Sequence, residues 1–296
     1  MKPTLLPLAT FLALAASAPC LAGPPAGAAP AARLLVFVSV PPQAYFAQRV
    51  AGARASVSTL AGPGRDPHSY EPTPRQVAEL GAASIWFTVG VEFEKALRPR
   101  ISSLYPALRV VDSAAGAPRR RLEAHGHGAG DAEEGGLDPH VWLGRAGAKE
   151  IARAMRDALA ALDPAGAPAY WANYEAFARE VDSTFDSLAR ELGPLRGKPV
   201  FVYHPAFGYF LDEFGIAQEA VETGGKEPTQ KGLAELAARA RAEGAKAVFV
   251  QAQFPTAAAR TLAKAIGGEV AALDALAPDW LENLRRMGAA LARAAR

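Results

Sequence analysis

Cysteine is almost missing from this chain of 296 residues: the only one is Cys20. It falls within the opening stretch MKPTLLPLATFLALAASAPCLAG, where Lys2 precedes an apolar run over 5–18 that ends in small residues. That pattern is expected of a secretory signal over 1–22, cleaved after Ala22. Lipid attachment at Cys20 is disfavoured, because Pro19 stands where such processing wants a small residue. A mature chain beginning near Gly23 has no thiol, which excludes disulfides and thiolate metal sites. Any metal must then be held by His and carboxylates.

A surplus of one charge is also missing. The formal net charge is +2, which gives no reason to expect nucleic acid or an anionic membrane surface as a partner. No later apolar run reaches the length of a transmembrane helix. His-Glu-x-x-His is absent, which disfavours a zincin-type protease, and no short solenoid-type repeat is visible.

What is present is an alternation of apolar strands and amphipathic helices. After a Pro, Gly and Ala lead-in over 23–32, strands are expected at 34–40, 56–60, 84–89 and 109–111, with helices after the first strand and over 74–80 and 93–105. The stretch 116–136, GAPRRRLEAHGHGAGDAEEGG, has no periodicity and reads as a mobile loop. Helices follow over 146–162 and 167–192, the second long enough at roughly 39 Å to cross a molecule. The alternation then resumes, with strands at 199–203, 216–221, 247–251 and 269–273. Helices are expected over 206–214, 228–243, 255–266 and from 279. The expected organisation is an N-terminal α/β lobe over 33–145, helices over 146–195 and a C-terminal α/β lobe over 196–296.

Only five histidines occur, and two of them share a preamble: Asp66-Pro67-His68 and Asp138-Pro139-His140. A third, His204, directly follows a strand and precedes Pro205. Asp274 also follows a strand. Ligands of open α/β sheets bind beyond the carboxyl ends of the strands, so His68, His204 and Asp274 stand where a site belongs. Proline fixes its own φ and holds the preceding residue extended, so the prolines brace these loops. Pro205 is expected to open the next helix at its first turn. Each preamble aspartate has two equal readings, orienting a ring nitrogen or capping local backbone N–H groups. A four-residue metal site competes with the plainer reading of hydrogen-bonded structural histidines, because long-range His spacing is a weak signal.

Six segments in order, GRDPHSYEPTPRQVAEL, LDPHVWL, YHPAFGYFLDEFGI, GGKEPTQKGLAEL, AVFVQAQF and ALDALA, resemble the landmarks of the zinc-uptake type of periplasmic metal-binding proteins that serve ABC transporters (ZnuA-like, cluster A-I). The resemblance runs from about Leu34 to the C-terminus. It implies an α/β fold of two (β/α)4 Rossmann-like lobes joined by a long rigid helix, with one metal site in the cleft between the lobes. Carried onto matching positions, His68, His140 and His204 are the imidazole ligands. Asp274 is the carboxylate ligand, or sits close by while water fills the fourth position. Two departures stand out: Gln251-Ala252 replaces the usual Glu-Pro, and the segment after Trp142 and Leu143 lacks the usual Asp-Pro.

Three imidazoles and a carboxylate suit tetrahedral Zn²⁺. Mn²⁺, which prefers oxygen-rich surroundings, is the alternative within the family; manganese-type relatives carry a carboxylate at the position of His204. The resemblance implies a monomeric periplasmic protein that binds Zn²⁺ as cargo, delivers it to a cognate ABC permease and catalyses no reaction. His125 and His127 fall in the loop where such relatives carry metal-collecting histidines; a solvated linker is the favoured reading. Tyr70, Trp142, Phe207 and Tyr209 are expected to pack around the site. From other classes, a secreted zinc-dependent hydrolase with Glu71 as base, or a metal-dependent adhesin, fits the same composition.

Overall fold

Four largely apolar runs, LLVFV, IWFT, PVFV and AVFV, become the interior strands of two parallel sheets. The computed structural model describes residues 33–122, 136–222, 226–254 and 256–294. Its N-terminal sheet contains β1 (Leu34–Val38), β2 (Ala55–Thr59), β3 (Ile85–Thr88) and β4 (Arg109–Asp112), in the order β2-β1-β3-β4. The C-terminal sheet contains β5 (Pro199–Val202), β6 (Ala217–Ala220), β7 (Ala247–Val250) and β8 (Glu269–Ala272), in the same order, β6-β5-β7-β8. Every pairing between these strands is parallel. Interior strands covered on both faces need apolar residues throughout. Edge strands do not, and β2, β4, β6 and β8 carry the Ser, Thr, Arg, Gln and Glu residues.

The helices are α1 (Pro41–Ala51), α2 (Pro74–Gly81), α3 (Glu92–Leu104), α4 (Arg145–Leu162), α5 (Ala167–Glu191), α6 (Gly208–Asp212), α7 (Gln230–Ala242), α8 (Ala257–Ile266) and α9 (Trp280–Ala294). The expected long helix is α5, 25 residues and about 38 Å in length. Its buried side chains Tyr170, Phe177, Val181, Phe185 and Leu188 recur at helical spacing and form a stripe. Phe177 lies 5.5 Å from Phe46 of α1, whereas Phe185 lies 6.2 Å from Phe210 of α6. One helix thus packs on elements beside both sheets. The last helix, α9, packs along α5, and its Trp280 stands edge-on to Phe46 at 4.8 Å. A single core therefore continues from the N-terminal sheet through α1, α4, α5 and α9 to β5 and α6, while a smaller one lies between α7, α8 and the C-terminal sheet.

Helix starts differ from the sequence reading at two prolines. Pro205 does not open a helix: Ala206 N–H donates to the His204 carbonyl at 2.8 Å in a tight turn, and α6 begins only at Gly208. Pro228 stands outside α7, because Thr229 caps it by accepting from Gly232 N–H at 3.1 Å. Around the expected loop over 116–136 the described ends are tied together. Leu122 N–H donates to Gly136 O and Asp138 N–H to Arg120 O, both at 3.0 Å, around an antiparallel bridge between Arg121 and Leu137. His125 and His127 lie outside the described residues, as does the segment 1–32.

Candidate metal centre

His68 is presented by the segment between β2 and α2. Gln76 of α2 closes the base of this segment by donating from Nε2 to Leu60 O at 3.0 Å, and Thr73 caps the helix. Within the loop, Asp66 accepts from His68 N–H at 3.0 Å and from the Ser69 hydroxyl at 2.9 Å. Asp66 is thus a backbone cap that does not hold the ring.

His140 has the same preamble and a different arrangement. Asp138, fully buried, accepts from His140 N–H at 2.9 Å and also meets ring Nδ1 at 2.8 Å. The carboxylate accepts a hydrogen bond from Nδ1–H, which leaves the lone pair of Nε2 free. Arg120 pairs with the second oxygen of Asp138 at 3.3 Å. Gly208 makes this possible, since a Cβ there would overlap the Arg120 guanidinium. Tyr209 links the two, accepting from Arg120 N–H and donating to Asp138 O, both at 3.0 Å. Tyr209 therefore orients the site as well as packing beside it. Trp142 is buried, and its ring N–H donates to Ala275 O at 2.7 Å, tying His140 to the turn after β8.

His204 follows β5, the first interior strand of the C-terminal sheet. Its Nδ1 meets Glu222 Oε1 at 2.6 Å, and Phe254 stacks on the ring at 4.7 Å. His204 and Glu222 are 9% and 3% exposed. The remaining nitrogen, His204 Nε2, is buried and has no hydrogen-bond partner. A buried lone pair without a donor is costly in a dry protein, and a bound cation would satisfy it.

The three rings converge. Their centroids are 5.8 Å (His68 to His140), 5.0 Å (His68 to His204) and 5.3 Å (His140 to His204) apart. One ligand atom from each lies within 4.8 Å of the others, a group able to hold a metal ion. Burial and the neighbouring His204 push the His68 pKa below its ordinary value. Burial also lowers that of His204, where the Glu222 hydrogen bond opposes the shift without reversing it. Both rings are therefore neutral at pH 7, the form that binds metal.

Asp274 is not brought into this group. Its Oδ1 accepts from Leu276 N–H at 2.8 Å, and its backbone carbonyl accepts from Asn283 Nδ2 at 2.6 Å, so it shapes the turn after β8. Ala275 and Leu276 line the cavity beside the histidines, together with Gln251 and Phe254. Glu71 is exposed and also stands outside the group. Sequence reasoning missed Glu222 and Phe254. Glu222 had a usable signal: an acid two residues beyond β6, at the carboxyl end of a strand.

Comparison with known proteins places the chain in a family. The family model "ZnuA: Zinc-uptake complex component A periplasmic" matches residues 36–294. The zinc-binding lipoprotein AdcA of Streptococcus pneumoniae (strain ATCC BAA-255 / R6) is 26% identical over 252 residues, covering 82% of this chain and 50% of AdcA. The chain thus spans half the length of that relative. The high-affinity zinc uptake system protein ZnuA of Yersinia pestis is 28% identical over 262 residues, covering 81% of this chain and 82% of its own. A crystal structure of ZnuA has a TM-score of 0.82 at 32% identity, covering 89% of this chain and 100% of that one. The chain belongs to the family of periplasmic zinc-uptake complex component A.

Proposed function

We propose that this protein captures Zn²⁺ outside the cytoplasm and hands it to an ABC permease as cargo, without catalysing a reaction. His68, His140 and His204 are the ligands in this reading. The observation that carries it is the set of three converging imidazoles, one of them ending in a buried and unpartnered Nε2. Asp138 and Glu222 support it by engaging Nδ1 of two rings, which aims Nε2 of each at a common centre. Three nitrogen donors favour Zn²⁺ over Mn²⁺. The fourth position belongs to water or to Asp274. The engagement of Asp274 Oδ1 with Leu276 N–H supports water.

The finer points follow from the same reading. The segment 1–22 is removed at Ala22 during export, Cys20 goes with it, and the mature protein is a monomer without a lipid anchor. No helix among the described residues is long and apolar enough to cross a membrane. The permease takes the ion by binding a state of the protein that holds zinc less tightly, since docking shifts affinity only through such a difference. The test is chelator competition on metal-stripped protein with Zn²⁺ and with Mn²⁺. One equivalent of tightly bound Zn²⁺, weakly displaced by Mn²⁺, is expected. Failure to bind Zn²⁺, or a preference for Mn²⁺, defeats the reading.

A further inference from the structure

Gln251 directly follows β7, beside His204 at the end of β5, and is 2% exposed. Its two amide atoms face different surroundings. Nε2 donates to the His204 backbone carbonyl at 3.3 Å. A carbonyl oxygen can only accept, so the amide nitrogen must be the atom that faces it. This fixes the flip of the side chain and leaves Oε1 on the other side. Oε1 is buried and has no partner. Gln251 lines the cavity shared by His68, His140 and His204. Two atoms here thus lack the partners that buried polar groups require: a nitrogen lone pair, His204 Nε2, and a carbonyl oxygen, Gln251 Oε1. A cation satisfies the first but not a shared hydrogen bond. A water bound to that cation satisfies the second, because coordination to a cation strengthens its protons as donors.

We propose that Gln251 is a specificity- and affinity-setting residue: its Oε1 accepts a hydrogen bond from the water that completes the coordination of the bound Zn²⁺. The inference rests on the zinc reading above. The carboxamide does this without adding charge. The carboxylates bonded to two of the rings, Asp138 and Glu222, reach the site only through ring nitrogens. An acid at 251 would add a negative charge to this cavity and bind the cation more tightly than the carboxamide does. A glutamate could also not donate to the His204 carbonyl, so its charge would be directed to the metal side.

The experiment compares wild type, Gln251→Ala and Gln251→Glu as full-length mature chains. Zn²⁺ affinity is read by competition with a fluorescent chelator, and coordination by the visible absorption of the Co²⁺-loaded proteins. Gln251→Ala should bind Zn²⁺ about 5-fold more weakly, and Gln251→Glu about 10-fold more tightly with an altered Co²⁺ spectrum. A purely structural role would make both substitutions weaken binding. Opposite signs in the two variants support the proposal, and any other ordering relative to wild type overturns it. Wild type holding one Zn²⁺ while the variants fail this pattern sinks only the Gln251 role. Wild type holding none sinks the zinc reading as well.

Discussion

The two sheets have the same strand order, yet their crevices are finished differently. In the N-terminal sheet the gap beyond β1 and β3 is closed by the protein's own hydrogen bonds. Gln43 accepts from Ser39 N–H at 2.9 Å and Val40 N–H at 3.3 Å, and donates to Phe87 O at 3.3 Å and the Ser113 hydroxyl at 3.0 Å. Trp86 donates to the Ser39 hydroxyl at 3.1 Å, and Glu94 accepts from Val89 and Gly90 N–H. In the C-terminal sheet the equivalent gap, beyond β5 and β7, holds His204 and Gln251, each with one buried atom left open. The same topology supports a self-satisfied joint in one half and an unsatisfied, ligand-ready one in the other. Topology supplies the crevice, and the hydrogen-bond inventory decides its use.

The sharpest way to break this comparison is His204→Ala. It should lower Zn²⁺ affinity by at least about 100-fold, or about 3 kcal/mol, in chelator competition, while the fold persists by circular dichroism. If affinity survives, the C-terminal crevice is not the metal side. The mirror substitution, Gln43→Ala, strands donors and acceptors in the N-terminal crevice. It should cost about 2–3 kcal/mol of stability in urea unfolding and leave Zn²⁺ affinity within about twofold. A large loss of affinity would mean that the two crevices are not separable.

Glu222→Gln tests orientation at the metal side. A carboxylate can only accept from His204 Nδ1–H, whereas a carboxamide can donate and permit the wrong tautomer. Zn²⁺ affinity should fall about 10- to 100-fold, the usual range for such partners, with little change in the urea midpoint.

Two sets of buried groups should also respond oppositely to pH in the metal-free protein. His68 and His204 have folded pKa values below the ordinary value of about 6.5. The unfolded chain takes up those protons first, so their contribution is complete above about pH 6.5 and is lost as pH falls through the lower folded values. Glu94 behaves in the reverse sense: burial pushes it up to about 7. Its contribution is complete below about 4.5 and is lost as pH rises through about 7. Glu94→Gln should therefore gain stability relative to wild type at pH 8, on the order of 1 kcal/mol, and show no gain at pH 4.5. Equal effects at both pH values would refute the assignment. The smallest change is expected of Asp274→Asn, which keeps the turn and should alter Zn²⁺ affinity by less than about threefold if water completes the shell.

Much of this was legible in the chain. The four interior strands announced themselves as apolar runs, and strand ends pointed to His68 and His204, because a strand's carboxyl end is a local property. The paired Asp-Pro-His preambles pointed to two of the three converging rings. They did not reveal that Asp138 holds its ring while Asp66 caps its own loop, since the preambles have identical local chemistry and differ in what surrounds them. Arg120, Gly208 and Tyr209 brace the preamble of His140. Glu222 was overlooked because its partner, His204, is 18 residues away and meets it only when β5 and β6 pair.

The sequence by itself determined the two α/β halves, the long α5 and the three histidines, because apolar runs, helical spacing and strand ends are encoded within a few residues of one another. Only the tertiary structure decided which carboxylates orient those rings, that Asp274 turns to its own loop, and that Gln251 lines the cavity while its Oε1 is buried and unpartnered. Those outcomes depend on which distant groups compete for each buried donor and acceptor, and that competition is settled only when the elements pack.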